Sequence, residues 1–227
     1  MHAVMRYGFP ALFSWRALTA NAFAARTLPC PTPAGVKLAV VALLLRRDGG
    51  ENGQEHVDWL APLPVAWRPP PRMAVRASTV HIWKGDGPGK LLTGTVGMRE
   101  YVHAPGLSAL ALLDVPQKRA ADVEYALERL RALGNGESLI QPVEPVQWTE
   151  GVPEGFVLLG RGAPDGEVAA LLDDLGAGAS FDRLSVYRAP GPGRVPRLNV
   201  DRRRFLVQLP LRTTRRTADG YVLESLD

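Results

Sequence analysis

Cysteine is almost missing from this sequence: Cys30 is the only one in 227 residues. That excludes an internal disulfide framework and any cysteine-built zinc cage. A single thiol between two prolines, with no base beside it, reads as a packing residue. Cysteine scarcity suits a reducing compartment, so a cytoplasmic protein is expected. Histidine is scarce too, at His2, His56, His81 and His103. No His, Asp or Glu grouping has metal-ligand spacing, and no metal or cofactor is expected. There is no Gly-x-Ser-x-Gly elbow. The run Gly160-Arg161-Gly162-Ala163-Pro164-Asp165-Gly166 lacks the Gly-Lys-Ser/Thr ending of a phosphate loop. It reads as a loop before a short helix, with contact to an RNA backbone left open. No apolar run is long enough to span a bilayer; residues 38–45 have the length of a core helix. The first 47 residues hold no acid, which raises the possibility of a transit peptide. Pro10 breaks the first apolar stretch and no clean amphipathic helix follows, so a mature, soluble N-terminus is expected.

What is present is arginine, and it is segregated. Arg outnumbers Lys 23 to 4 within a net charge of +4. Residues 1–47 sum to +6, residues 48–182 to −8, residues 183–216 to +9 and the last eleven to −3. If the two basic ends meet in the fold, they form a field that attracts polyanions. Arginine forks phosphate and stacks on bases; a GC-rich genome gives the same bias. Hydrophobic residues at 46% suffice for a core, while 20 Pro and 23 Gly imply many turns and short elements.

Along the chain, residues 2–7 read as an opening strand and residues 10–26 as an irregular aromatic and basic loop. Thr32 is a good N-cap and Pro33 fits the first turn of a helix over residues 33–47. The orphan N–H groups of that helix start, with Arg26 and Lys37 nearby, suit a phosphate; an ordinary buried helix with a tight lead-in turn is the plain alternative. Asp48-Gly49-Gly50 ends the helix. Residues 51–58 read as a polar loop, and residues 63–68 and 73–83 as strands. Gly85-Asp86-Gly87-Pro88-Gly89 reads as the tip of a hairpin with residues 93–101 as its second arm. A strand over residues 107–113 and a helix from residue 114 or 116 to residue 133, stopped by Gly134, complete the first part. This order gives an α+β fold of ferredoxin-like type. A soft boundary falls near residue 140. Beyond it the pattern is short strands at residues 155–159, 180–188, 205–211 and 221–226, with a brief helix at residues 167–175.

Three pieces carry the functional signal. The first runs from Arg26 through Pro31-Thr32-Pro33 to Arg46-Arg47-Asp48. The second is Met98-Arg99-Glu100-Tyr101, leading into residues 107–113. The third is Leu133-Gly134-Asn135-Gly136-Glu137-Ser138-Leu139. In that order and spacing, over about residues 1–145, the chain resembles the fifth family of CRISPR-associated (Cas) proteins, the RAMP-type subunits of Cascade-like complexes. The resemblance implies an RRM-like RAMP domain over residues 1–140, with a thumb hairpin over residues 76–97, and a small β-rich part over residues 141–227. It implies a subunit that caps the 5′ handle of the CRISPR RNA (crRNA), beside a backbone RAMP subunit and a large subunit. Target DNA near the protospacer-adjacent motif is a further expected partner; a membrane is not.

On that reading Arg26, Lys37 and Arg99 hold phosphates, and Tyr101 meets a base or sugar. Arg16, Arg76 and His81 join the contact surface. Trp83, Lys84 and Lys90 serve the thumb, and Arg202, Arg203 and Arg204 extend the basic face. Basic and aromatic residues alternating on an extended arm suit single-stranded RNA. No catalytic residue is assigned. One branch of the family cleaves precursor crRNA without metal, and His81 and His103 are the candidates for that alternative. A generic basic RNA-binding module is the remaining reading.

Overall fold

The computed structural model describes residues 1–18, 24–85, 92–134, 138–163, 165–184 and 198–226. In chain order the first elements are β1 (His2–Gly8), β2 (Trp15–Arg16), β3 (Ala24–Ala25), β4 (Thr27–Leu28), α1 (Pro33–Arg47) and α2 (Gly53–Leu60). Next come β5 (Val65–Arg68), β6 (Arg72–Gly85), β7 (Leu92–His103), β8 (Ser108–Leu112), α3 (Ala120–Glu128), β9 (Gln141–Pro142) and β10 (Gln147–Thr149). The remainder is β11 (Val157–Leu158), β12 (Val168–Leu175), α4 (Phe181–Leu184), β13 (Arg202–Leu209), β14 (Leu211–Arg216) and β15 (Gly220–Ser225).

The body is an antiparallel sheet in the order β10-β1-β8-β5-β11, with β9 also on β1. Its alternation sorts the side chains: Ala3, Met5 and Tyr7 of β1 face the main core, while Val4 joins a small second cluster with Ala66, Ala111 and Leu113. Both faces of β8 are covered, and all five of its residues are buried. Helix α1 supplies Val36, Val40, Val41, Leu44 and Leu45 to the main core, each such burial contributing roughly 1.5–3 kcal/mol. Thr32 caps it, its Oγ1 accepting from the Gly35 N–H at 3.1 Å. At the other end Gly49 and Gly50 adopt φ of 69° and 90°, which lets Gly50 donate back to the Leu45 carbonyl at 2.7 Å.

The second sheet runs β14-β15-β6-β7-β3, antiparallel except for the parallel pair β3–β7. The long β6–β7 hairpin is its centre, and β15 and β3 flank it on either side. Strands β12 and β13 form a separate ribbon that packs on α1.

Mixed α and β structure with antiparallel sheets is thus found as expected, with several elements changed. Residues 51–58 are not a loop: α2 buries Gly53, His56, Val57 and Leu60 on one stripe. Residues 167–175 are not a helix. Their apolar spacing fits a helix, but full-length pairing with β13, from Val168↔Leu209 to Leu175↔Arg202, overrides it. The helix expected up to residue 133 is shorter, a 3-10 turn over Gln117–Arg119 and then α3 to Glu128. Residues 181–184 are helical rather than extended. The hairpin tip lies outside the described residues.

Candidate nucleic-acid interface

The three sequence pieces meet at the base of the hairpin. Ala25 pairs with Arg99, and the Thr27 N–H donates to Glu100 Oε2 at 2.9 Å. The Thr27 hydroxyl accepts from the Trp15 N–H at 2.8 Å. Trp15 Nε1–H in turn donates to the Leu133 carbonyl at 2.9 Å. Ser138 closes the circuit, donating to the Ser14 carbonyl at 2.9 Å and accepting from its N–H at 3.2 Å. Phe13 exchanges backbone hydrogen bonds with Val102, at 3.1 and 2.8 Å. An aromatic cluster of Tyr7, Phe9, Phe13 and Trp15 packs beneath. Burial raises the Tyr7 phenol well above its ordinary value, so it stays neutral.

Glu100 is therefore a tie between strand and loop. Its neighbours in sequence point the other way, because side chains alternate along a strand. The register puts Arg76 beside Tyr101 and Ser78 beside Arg99, so Arg76, Arg99 and Tyr101 share one face. Arg76 is exposed, and Arg99 and Tyr101 are half-buried. The same alternation adds exposed Arg72 and His103. A bulge between Thr213 and Arg215 keeps both Arg212 and Arg215 on this face, opposite Glu224 and Val222. Glu224 is the acid among them, 3.8 Å from Arg72 and 3.7 Å from Arg212. The result is an open basic strand face with an aromatic ring. Such a surface combines cations for phosphates with a platform for a base. Arg72 was missed in the sequence because its place follows from register across two strands, not from spacing along one.

Other expected residues lie elsewhere. Lys37 is not a phosphate ligand at the start of α1: it is fully buried, and Nζ donates to Asp174 Oδ1 at 2.7 Å and to the Ala61 carbonyl at 2.8 Å. Burial lowers its pKa, against the opposing pull of Asp174. The helix start itself is closed, with Cys30, Pro31, Pro33 and Ala34 buried around the Thr32 cap. Burial also pushes the Cys30 thiol far up, consistent with packing. Arg202 and Arg203 are engaged by Asp173 at 2.5 Å and Asp174 at 3.2 Å and tie β13 to β12; Arg203 and Arg204 are both exposed. Arg16 is exposed on β2 and Arg26 between β3 and β4. His81 is exposed on the opposite face of β6 from Arg76, so the two histidines considered for cleavage stand on opposite sides of the sheet. Trp83 and Lys84 belong to the backbone of β6; Lys90 lies outside the described residues.

Among the described residues no cluster of His, Cys, Asp and Glu could hold a metal ion, and no helix is long and apolar enough to cross a membrane.

Fold and junction together define a mixed α/β protein that presents an exposed basic and aromatic strand face. No protein-family model matches the chain. It is similar to the CRISPR-associated protein Cas5 of Archaeoglobus fulgidus, 28% identical over 139 residues, which cover 58% of this chain and 58% of that protein. The resemblance carried by the three motifs is thus met by a curated relative of the same family. Two solved structures are also similar. A CRISPR protein from Archaeoglobus fulgidus has a TM-score of 0.44 and 12% identity, over 99% of this chain and 91% of that one. A chain of a CRISPR RNA-guided surveillance complex has a TM-score of 0.43 and 18% identity, over 77% of each chain.

Proposed function

We propose that this chain is a non-catalytic crRNA-binding subunit of a type I Cascade-like surveillance complex, acting in antiviral defence. It caps the 5′ handle and contacts the backbone and large subunits. The motif resemblance and the Cas5 relative support the family. The observation that carries RNA binding is the gathering of Arg76, Arg99 and Tyr101 on one open strand face. The same reading makes the body a ferredoxin-like RAMP core. Its supports are the element order β1, α1, β5, β8, α3, β10 and the strand order β10-β1-β8-β5. Residues 1–140, with the returning strand β10 added to their sheet, are then the RAMP domain and the rest of residues 141–227 the β-rich part, and target DNA beside the handle is a further partner.

The test is titration of the chain with a handle-bearing single-stranded RNA over a range of salt. Arg76→Ala with Arg99→Ala is expected to weaken binding and to reduce the slope of log K against log salt by about 0.7 for each phosphate no longer neutralised. Unchanged affinity and slope would remove this face from the RNA site. The cleavage reading has one observation in its favour: His103 and Tyr101 share the open face. RNA recovered intact from these titrations in the presence of a chelator counts against it.

A further inference from the structure

On the opposite side of the hairpin sheet from Arg76 and Arg99 lies a cleft of about 620 Å³, the size of a site for a nucleotide-sized ligand. The half-buried ring of Tyr221 and the carboxylate of Glu100 form one wall, and Glu167 stands on the other. Arg26 comes in from the first basic segment, Arg216 from the end of β14 and Asp219 from the turn before β15. Several charges elsewhere in the protein are paired with one another, as in Arg47 with Asp48 and Asp122, or Arg119 with Glu55 and Asp122. Among the described residues Arg26, Arg216, Glu167 and Asp219 make no ion pair, although they line one cleft.

The lining combines two phosphate-binding forks, an aromatic ring and three acceptor-only carboxylates, of which Glu100 already accepts from the Thr27 N–H. Burial pushes the Tyr221 phenol up to about 12, with Glu100 adding to the rise and Arg26 and Arg216 opposing it, so the ring stays neutral. Carboxylates discriminate among bases. Guanine offers two adjacent donors, N1–H and the 2-amino group, to the two oxygens of a carboxylate. Adenine and cytosine place an acceptor next to their amino group, and uracil flanks its single N–H with two carbonyls.

We propose that this cleft holds one guanine nucleotide of a bound single-stranded RNA, with its phosphate on Arg26 and Arg216 and its Watson–Crick edge on the carboxylates of Glu167 and Asp219. The inference rests on the RNA-binding reading and adds a base preference to it. The open face then binds backbone without regard to sequence, and the cleft on the other side reads one base.

The experiment uses the full chain and fluorescence anisotropy with three eight-nucleotide RNAs: all-uridine, the same with one central guanosine, and the same with inosine in that place. The guanosine RNA is expected to bind at least about fivefold tighter than the all-uridine RNA, the lower end for a bidentate base contact. Inosine, which lacks the 2-amino group, is expected to lose most of that advantage. In the Glu167→Gln, Asp219→Asn variant the ratio of the two affinities is expected to fall to about one. Equal affinity for all three RNAs overturns the cleft assignment and leaves the RNA-binding reading standing, as does a guanosine preference that survives the double substitution. Failure of every RNA to bind overturns both.

Discussion

Lys37 shows how one side chain can change role between sequence and fold. In the sequence it sits beside a helix start rich in free N–H groups; in the fold it is the buried partner of Asp174, 137 residues away. Nothing local to Lys37 signals this, because the carboxylate arrives on a strand whose helical spacing hides its character. The pair also holds Arg203, so one carboxylate joins α1 to the ribbon. A buried ion pair contributes little net stability, but breaking it is costly. Asp174→Ala is expected to lose about 3–5 kcal/mol, since it leaves a buried ammonium without its partner. Adding Lys37→Met to that variant is expected to restore part of the loss. Urea unfolding of the two variants checks this; a single variant as stable as the parent would sink it.

At the scale of elements, the strands of the hairpin and the body were legible because β-branched runs and turn residues bracket them. The helix α1 was legible from its cap, its proline and its terminal glycines. What was not legible was pairing. The junction of β15 with β6 depends on a close approach at Gly220, where a Cβ would lie 2.1 Å from the Val75 carbonyl oxygen. Gly220→Ala is expected to cost roughly 1–3 kcal/mol through a forced backbone shift, and to loosen β15 before the rest of the fold. Amide exchange should rise first at residues 220–225; uniform protection across the sheet would contradict the assignment. The open face itself is a product of pairing, because Arg72, Arg76, Arg212 and Arg215 come from two strands bridged by a third and align only through register.

For the molecule as a whole, the charge segregation read from the sequence has a spatial outcome. The first and last basic segments converge on the hairpin sheet, with Arg26 and Arg216 lining one cleft. A field of that kind predicts a steep salt dependence and a preference for polyanions. Purified from its native host at moderate ionic strength, the chain is expected to carry short RNAs that share one repeat-derived 5′ end. Sequencing the bound RNA checks this, and heterogeneous RNA would count against a capping role. The basic field and the three motifs were therefore legible in the sequence. The division of arginines between an open strand face, a cleft and internal ties was not, since only the acids opposite them decide it. The pairing of β6 with β15 has one more consequence, for biosynthesis. A ribosome delivers β6 and β7 long before β15, so the nascent hairpin waits with an unpaired edge on the β6 side. Such an edge is a template for strands of other chains, and closing it late demands contacts between distant parts of the polypeptide. Slow maturation, and a need for chaperones or an early binding partner while translation continues, follow from the position of that one strand.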